Sequence, residues 1–234
     1  KNMAKQTTPS GDERLENIGS TLSKAEQFIE KYKNIITYVI AGIALVVLGI
    51  WAYNNFIHGP KVTKAENEMY MAQMYYEMDS LNLALNGDGN HPGFLEIIDN
   101  FGGTPSGNLA HYYVGMIYLK QGLFEDAIEE LEKFDGDDDI IGPMATGCIG
   151  DAYMELGNQE EALEYYLEAS EQSENSFTTP MYLMRAAWVY EGMGDWDKAI
   201  GLYEKIRDNY KKSFEGSEIN KYIARATAMK NSAQ

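Results

Sequence analysis

The sequence predicts an all-α protein: an N-terminal amphipathic helix, a single transmembrane helix, and then an α-solenoid of about four helix pairs closed by a C-terminal capping helix. Three observations carry this reading. Residues 35–53 form a nineteen-residue run in which only Thr37 is strongly polar. Beyond it, small residues, tyrosines and glycines recur in the same order at steps of 35 and 37 residues. The last turns of the chain, SEINKYIARATAMK, alternate apolar and polar residues at helical spacing.

Residues 1–11 are polar and hold Pro9 and Gly11, so a disordered tail is expected. Over residues 12–34, Leu15, Ile18, Leu22, Ala25, Ile29 and Tyr32 recur every three or four positions. That is one apolar stripe of a juxtamembrane amphipathic helix. The stripe suits a short coiled coil, a membrane surface or a neighbouring membrane protein equally well.

Residues 35–57 are the expected transmembrane helix. At ~1.5 Å per residue, the run from Ile35 to Tyr53 reaches across a hydrocarbon core of ~30 Å. Leu45 and Leu48 lie in its interior, and Tyr38, Trp51 and Tyr53 sit near its ends, as interfacial aromatics do. A cleaved signal peptide fits poorly, because 34 residues precede the run and no small-x-small site follows it in WAYNNFIHGP. Lys24, Lys31 and Lys33 precede the span, against Lys61 and Lys64 after it, which places the N-terminus inside. His58-Gly59-Pro60 is expected to end this helix, since proline disfavours helix in the residue before it.

Val62 to Leu85 reads as one long helix, followed by the turn cluster Asn86-Gly87-Asp88-Gly89-Asn90. FLEIIDNF forms a short helix, broken by Gly102-Gly103-Thr104-Pro105. The repeats come next. Gly115, Gly150 and Ala187 are each followed three positions on by Tyr118, Tyr153 and Tyr190. Seven positions on stand Gly122, Gly157 and Gly194, and twelve on stand Ala127, Ala162 and Ala199. A period in this range means a helical array. The first small residue lets one helix approach its neighbour, and the tyrosine fills the groove beside it. The glycine lets the turn take positive φ, and the alanine lets the second helix cross closely.

These positions resemble the tetratricopeptide repeat (TPR). The resemblance implies a degenerate first repeat over 61–105, with Ala72, Tyr75 and Ala84, and repeats over 106–142, 143–179 and 180–213. Residues 215–230 form the capping helix that the exposed end of such a stack needs. The chain departs from the family at the fourth position, where His111 and Thr146 replace a large apolar residue. In the family, four positions of each first helix face the concave side. Carried over, they are Leu109, Tyr112, Met116 and Leu119; then Met144, Gly147, Asp151 and Met154; then Met181, Met184, Trp188 and Glu191. The first repeat adds Met69 and Tyr76. Six of the twelve methionines lie in this set, and flexible methionines suit a surface that receives apolar partners. The lysine and asparagine of chaperone-carboxylate-binding TPR domains are absent from these positions. The alternative is that the helix over Glu218 to Met229 folds back and occupies the groove itself.

Charge and chemistry narrow the function classes. The net charge is −17; residues 1–34 hold six Lys/Arg against five Asp/Glu, so the acidity lies beyond them. Such a surface repels phosphate backbones, which disfavours nucleic acid. With Cys148 as the one cysteine, no intrachain disulfide forms, and its apolar neighbours suggest a small buried hydrophobe. His58, His91 and His111 are scattered without a ligand partner at helical spacing. Asp135-Gly136-Asp137-Asp138-Asp139 lacks the register and closing glutamate of a calcium loop and reads as a solvated turn. No acid–base pair or nucleophile constellation stands out. We therefore expect a non-enzyme without cofactor or metal.

A single N-terminal span followed directly by an acidic TPR domain resembles the YfgM-like family, the ancillary subunit of the SecYEG translocon. Residues 84–119 and 150–169 look like the proteins of that layout in the Bacteroidota. The resemblance implies a single-pass protein of the inner (cytoplasmic) membrane with a cytoplasmic N-terminus and a periplasmic TPR domain. It implies three partners: the SecYEG translocon, a membrane-anchored prolyl isomerase of the PpiD type, and unfolded secreted polypeptides. The alternative is an anchored TPR scaffold of another envelope assembly or secretion complex, without client contact.

Overall fold

The computed structural model describes residues 11–232, with side chains from residue 26 onward. Residues 1–10, most of the expected tail, lie outside the described residues, as do the side chains of the stripe from Leu15 to Ala25. Among the described residues all regular structure is helical, as the fold class expected.

The first unit, which ends at Gly59, is one helix, α1 (Gly11–Tyr53), followed by a π-helical turn over Asn54–His58. The two helices expected over 12–34 and 35–57 are thus one continuous helix as far as Tyr53, with no joint near residue 34. Ile35, Tyr38, Leu45, Leu48, Trp51 and Tyr53 are all exposed, and the helix is long and apolar enough to cross a membrane. Thr37 removes its own polarity by donating its hydroxyl to the Lys33 carbonyl at 2.8 Å.

The expected helix end at His58-Gly59-Pro60 is not observed. Helix α2 (Gly59–Glu77) begins there. Pro60 has no N–H, and in an α-helix its ring collides with the carbonyl four residues back. The π-turn relieves this: the Gly59 N–H reaches five residues back to the Asn54 carbonyl, widening the ladder just ahead of the proline.

The second unit begins at Pro60, and its regular structure among the described residues is helical. The single long helix expected over Val62–Leu85 is instead α2 and a short α3 (Leu81–Asn86). Asp79 takes φ 56°, and the Ser80 N–H returns to the Tyr75 carbonyl at 2.8 Å, which reverses the chain. Then come α4 (Phe94–Phe101), α5 (Pro105–Gln121), α6 (Phe124–Lys133), α7 (Ile141–Glu155), α8 (Gln159–Gln172), α9 (Thr178–Gly192), α10 (Trp196–Asn209) and α11 (Phe214–Ser232).

From α5 onward each helix packs on the next in sequence, and α5, α7, α9 and α11 also touch one another in series. That pairing makes an array in which the odd-numbered helices line one face. The turns within the pairs are copies. Gly122, Gly157 and Gly194 have φ 76°, 81° and 78°, the left-handed region that a side chain resists. The residue after each donates its N–H to the carbonyl of Tyr118, Tyr153 or Tyr190 at 2.9 Å. The turns between pairs use another device. A side-chain oxygen of Thr104, Asp138, Asn175 or Ser213 accepts backbone N–H groups at the start of α5, α7, α9 and α11. Asp138, in the acidic turn, thus serves as a cap, accepting from Ile140 and Ile141 at 2.8 and 2.6 Å.

The core runs as successive clusters. Ala65, Met69, Ala72, Phe94, Ile97 and Val114 join α2 to α5. Leu131, Cys148 and Ile149 join α6 to α7, and Tyr166, Ala169, Tyr182 and Val189 join α8 to α9. Leu183, Tyr203, Ile206, Ile219 and Ala226 close the stack on α11. Ala127, Ala162 and Ala199 have no exposed surface, so the second helix of each pair crosses where only a methyl fits. Burying such apolar surface contributes roughly 25 cal/mol per Å².

Candidate functional site

The predicted inward positions have diverse surroundings. Met69 is buried in the core between α2 and α5, because the α2–α3 reversal turns that face of α2 onto α4 and α5. Tyr76 packs edge-on against Tyr113 at 5.2 Å, and Leu109 packs against the same core. Tyr112, Met116 and Leu119 lie half-buried over the α6–α7 cluster, with Tyr112 against Phe134 at 5.6 Å. Met144 and Met154 are half-buried. Gly147 receives the Tyr182 ring: a Cβ there would stand 1.9 Å from a ring carbon. Much of the inward face is therefore occupied by aromatic side chains of the array itself.

Asp151 is the centre of a polar network. Its Oδ1 accepts the Tyr166 hydroxyl at 2.7 Å and pairs with Arg185 of α9. The Arg185 guanidinium also lies 5.9 and 5.7 Å from the Tyr166 and Tyr182 ring centres. Burial works against the Arg185 charge, but Asp151 outweighs it, and the pKa of Arg185 is raised. Burial, then the bond to Asp151, raises the Tyr166 phenol. Arg185 was not among the predicted inward positions. Its signal was a lone cation, MYLMRAAWVY, in an otherwise apolar helix.

The face opens at its C-terminal end. A cavity of about 200 Å³ separates α9 from α11. Met181, Met184, Arg185 and Trp188 line it from α9, and Phe214, Glu215, Glu218 and Tyr222 from α11. Trp188 is 47% exposed, Met184 is nearly buried, and Phe214 is 90% exposed. Helix α11 stacks as the next inward-lining helix and forms a wall of the cavity. The fold-back that would fill the groove is not observed: α11 packs on α9 and α10. Ile219 and Ala226 bury α11 against the α9–α10 core, and Arg225 pairs with Glu191 and Lys230 with Asp197 beside it. Phe214 was also outside the predicted set. Its signal was periodic: Ile140, Phe177 and Phe214 stand 37 residues apart, the first two just before α7 and α9 and the third opening α11, and all three are exposed.

Other polar groups are internally committed. His111 Nδ1 lies 2.7 Å from Glu130, which Lys133 also holds. The backbone N–H groups of Asn90 and His91 donate to Asp88 Oδ1, and its Oδ2 accepts the Tyr75 hydroxyl at 2.7 Å. Burial pushes the Cys148 thiol up to about 12, as for an inert core cysteine. Among the described residues no cluster of His, Cys, Asp and Glu has a metal-binding arrangement.

Comparison with known proteins agrees with this geometry. Residues 143–212 match the family model of the tetratricopeptide repeat. A TPR repeat-containing protein of Methanocaldococcus jannaschii is 28% identical over 103 residues, covering 44% of this chain. The match spans 18% of that protein's length. The crystal structure of MamA protein aligns with a TM-score of 0.50 at 19% identity, over 72% of this chain and 85% of that one. A crystal structure of nearly identical TPR-like repeats, from a putative kinesin light chain of Podosopora anserina, aligns with a TM-score of 0.55 at 15% identity. It covers 73% of this chain and 88% of its own. At these identities the solved structures show the fold alone. Residues 143–212 are thus similar to tetratricopeptide repeats, and they lie in an all-helical solenoid whose fold resembles those of the solved TPR-like structures.

Proposed function

We propose that this chain is a single-pass membrane protein whose repeat domain binds protein partners at the Sec translocon. In this reading it is a non-enzymatic ancillary subunit of SecYEG, working with a PpiD-type prolyl isomerase and with emerging secreted chains. The N-terminus is cytoplasmic and the repeats are periplasmic. The observation that carries the reading is the layout: a helix able to cross a membrane, followed without a spacer domain by an array with an open apolar cleft. Tethering raises the local concentration of that cleft near whatever the span docks on. The acidic exterior, net −18 beyond residue 34, keeps the array soluble.

The test is a gentle detergent extraction of the tagged full chain, with identification of what accompanies it. SecYEG subunits and a prolyl isomerase are expected. Their absence, with other envelope proteins recovered instead, sinks the translocon assignment.

One observation favours the scaffold alternative. Much of the inward face is filled by Tyr112, Tyr182 and their neighbours, and the cleft at its C-terminal end is compact. A photo-crosslinker at Trp188 separates the two readings. Many different nascent chains among the products support client contact; one constant partner supports the scaffold.

A further inference from the structure

The cleft between α9 and α11 has a polarity that the repeat frame does not dictate. Its floor is apolar, from Met181, Met184, Trp188 and Tyr222. A cavity of about 200 Å³ exceeds the ~150 Å³ that admits a benzene ring. Phe214 stands at the mouth with 90% of its surface in water. Aromatic surface of that kind is expected where a partner covers it.

The rim charges are unequally used. Arg185 faces the cleft but is committed to Asp151 and stacked over two tyrosine rings. Glu218 pairs with Lys221. Glu215 makes no ion pair among the described residues. Lys211 and Lys212, just before Phe214, do not line the cavity. The uncompensated charge at the rim is therefore negative, and the surrounding domain is strongly acidic.

We infer that this cleft is an anchor site for a partner polypeptide segment carrying one bulky apolar side chain with a lysine or arginine within one turn of it. The apolar side chain fills the space between Trp188 and Phe214, and Glu215 receives the cation. Like charge at the rim disfavours an acidic segment. The inference rests on the reading that the inward face binds polypeptide, and supplies the chemistry of the bound segment.

The test uses the full chain in nanodiscs of uncharged lipid and three twelve-residue peptides. One has a central Phe flanked by Lys; the second replaces each Lys by Glu; the third replaces the Phe by Ala. Binding is read from Trp188 emission against a Trp188→Phe control, and from anisotropy of labelled peptide. The Lys/Phe peptide should bind, and the other two should bind at least fivefold more weakly. Exposed ion pairs are modest, so Glu215→Gln should weaken the Lys/Phe peptide about two- to fivefold and narrow the preference over the Glu form. Equal binding of the Lys and Glu peptides, or of the Phe and Ala peptides, overturns the inference and leaves polypeptide binding by this face standing. If no peptide perturbs Trp188 or gains anisotropy, both fall.

Discussion

Gly147→Ala asks whether the inward face is as tightly filled as the structure implies. Glycine in a helix interior costs about 1 kcal/mol relative to alanine, so on propensity alone the change should stabilise. The site opposes this. The new Cβ would stand 1.9 Å from one Tyr182 ring carbon and 2.2 Å from another. Tyr182 cannot simply swing away: it is 2% exposed, stacked 6.3 Å from Tyr166, and its hydroxyl reaches the Met144 carbonyl. Overpacking of a filled core costs ~1–3 kcal/mol, and a rigid ring belongs at the upper end. The net expectation is a loss of about 2 kcal/mol. Gly201→Ala, at an exposed position of α10 with no atom within 4 Å of the added Cβ, is the internal control and should gain up to about 1 kcal/mol. Urea titration of the full chain in detergent, followed by circular dichroism, measures both. If Gly147→Ala stabilises as Gly201→Ala does, then Tyr182 does not occupy that space, and the account of a self-filled inward face is wrong.

Three further expectations concern the polar network, the thiol and acid. Asp151→Asn leaves Arg185 unpaired; both groups are about one-third exposed, so solvent screens the loss to about 1 kcal/mol. A double-mutant cycle with Arg185→Met should show coupling below that figure, and coupling of several kcal/mol would contradict the exposure of the pair. Cys148, with its pKa pushed up to about 12 by burial, should resist iodoacetamide at about pH 8 in the native state and react in denaturant. Complete native labelling within minutes would show that the α6–α7 core opens. The hydrogen bond from Tyr75, then those from His91 and Asn90, hold the Asp88 carboxyl well below the usual carboxylate range. A lowered folded pKa stabilises above the unfolded value, near ~4, and that stabilisation is lost as pH falls below it. Exchange protection in the loop over residues 86–93, taken relative to the intrinsic amide rate at each pH, should therefore fall below about pH 4 before that of the later repeats, and a uniform fall would refute the assignment.

The repeat frame was legible because each of its signals is a local steric requirement. A glycine that must take positive φ, an alanine that must let a helix cross and a tyrosine that fills the groove leave the same mark at a fixed period. The reversal at Asp79 was not legible, because an aspartate in the left-handed region leaves no glycine behind to mark it. The passage through Gly59-Pro60 was hidden for the opposite reason. Proline reads as a stop, and the widened π-turn that accommodates it depends on a backbone bond to Asn54 that no residue identity announces. The inward face was only partly legible. Family register placed Trp188 and Met181 at the cleft, yet it also named Met69, which the α2–α3 reversal buries.

By itself the sequence determined the class of fold, the apolar helix able to cross a membrane, the position of the repeated turns and the acidity of the domain. Each follows from neighbours within one or two helical turns or from composition. Only the tertiary structure decided which inward positions are open. Whether Gly147 is a hollow or a seat for Tyr182 depends on a ring 35 residues away. Whether α11 fills the groove or walls it depends on Ile219 and Ala226 burying against Leu183, Tyr203 and Ile206 of α9 and α10. Periodicity reports that a helix has a face to bury; the side chains that meet there decide how much of that face stays open to a partner.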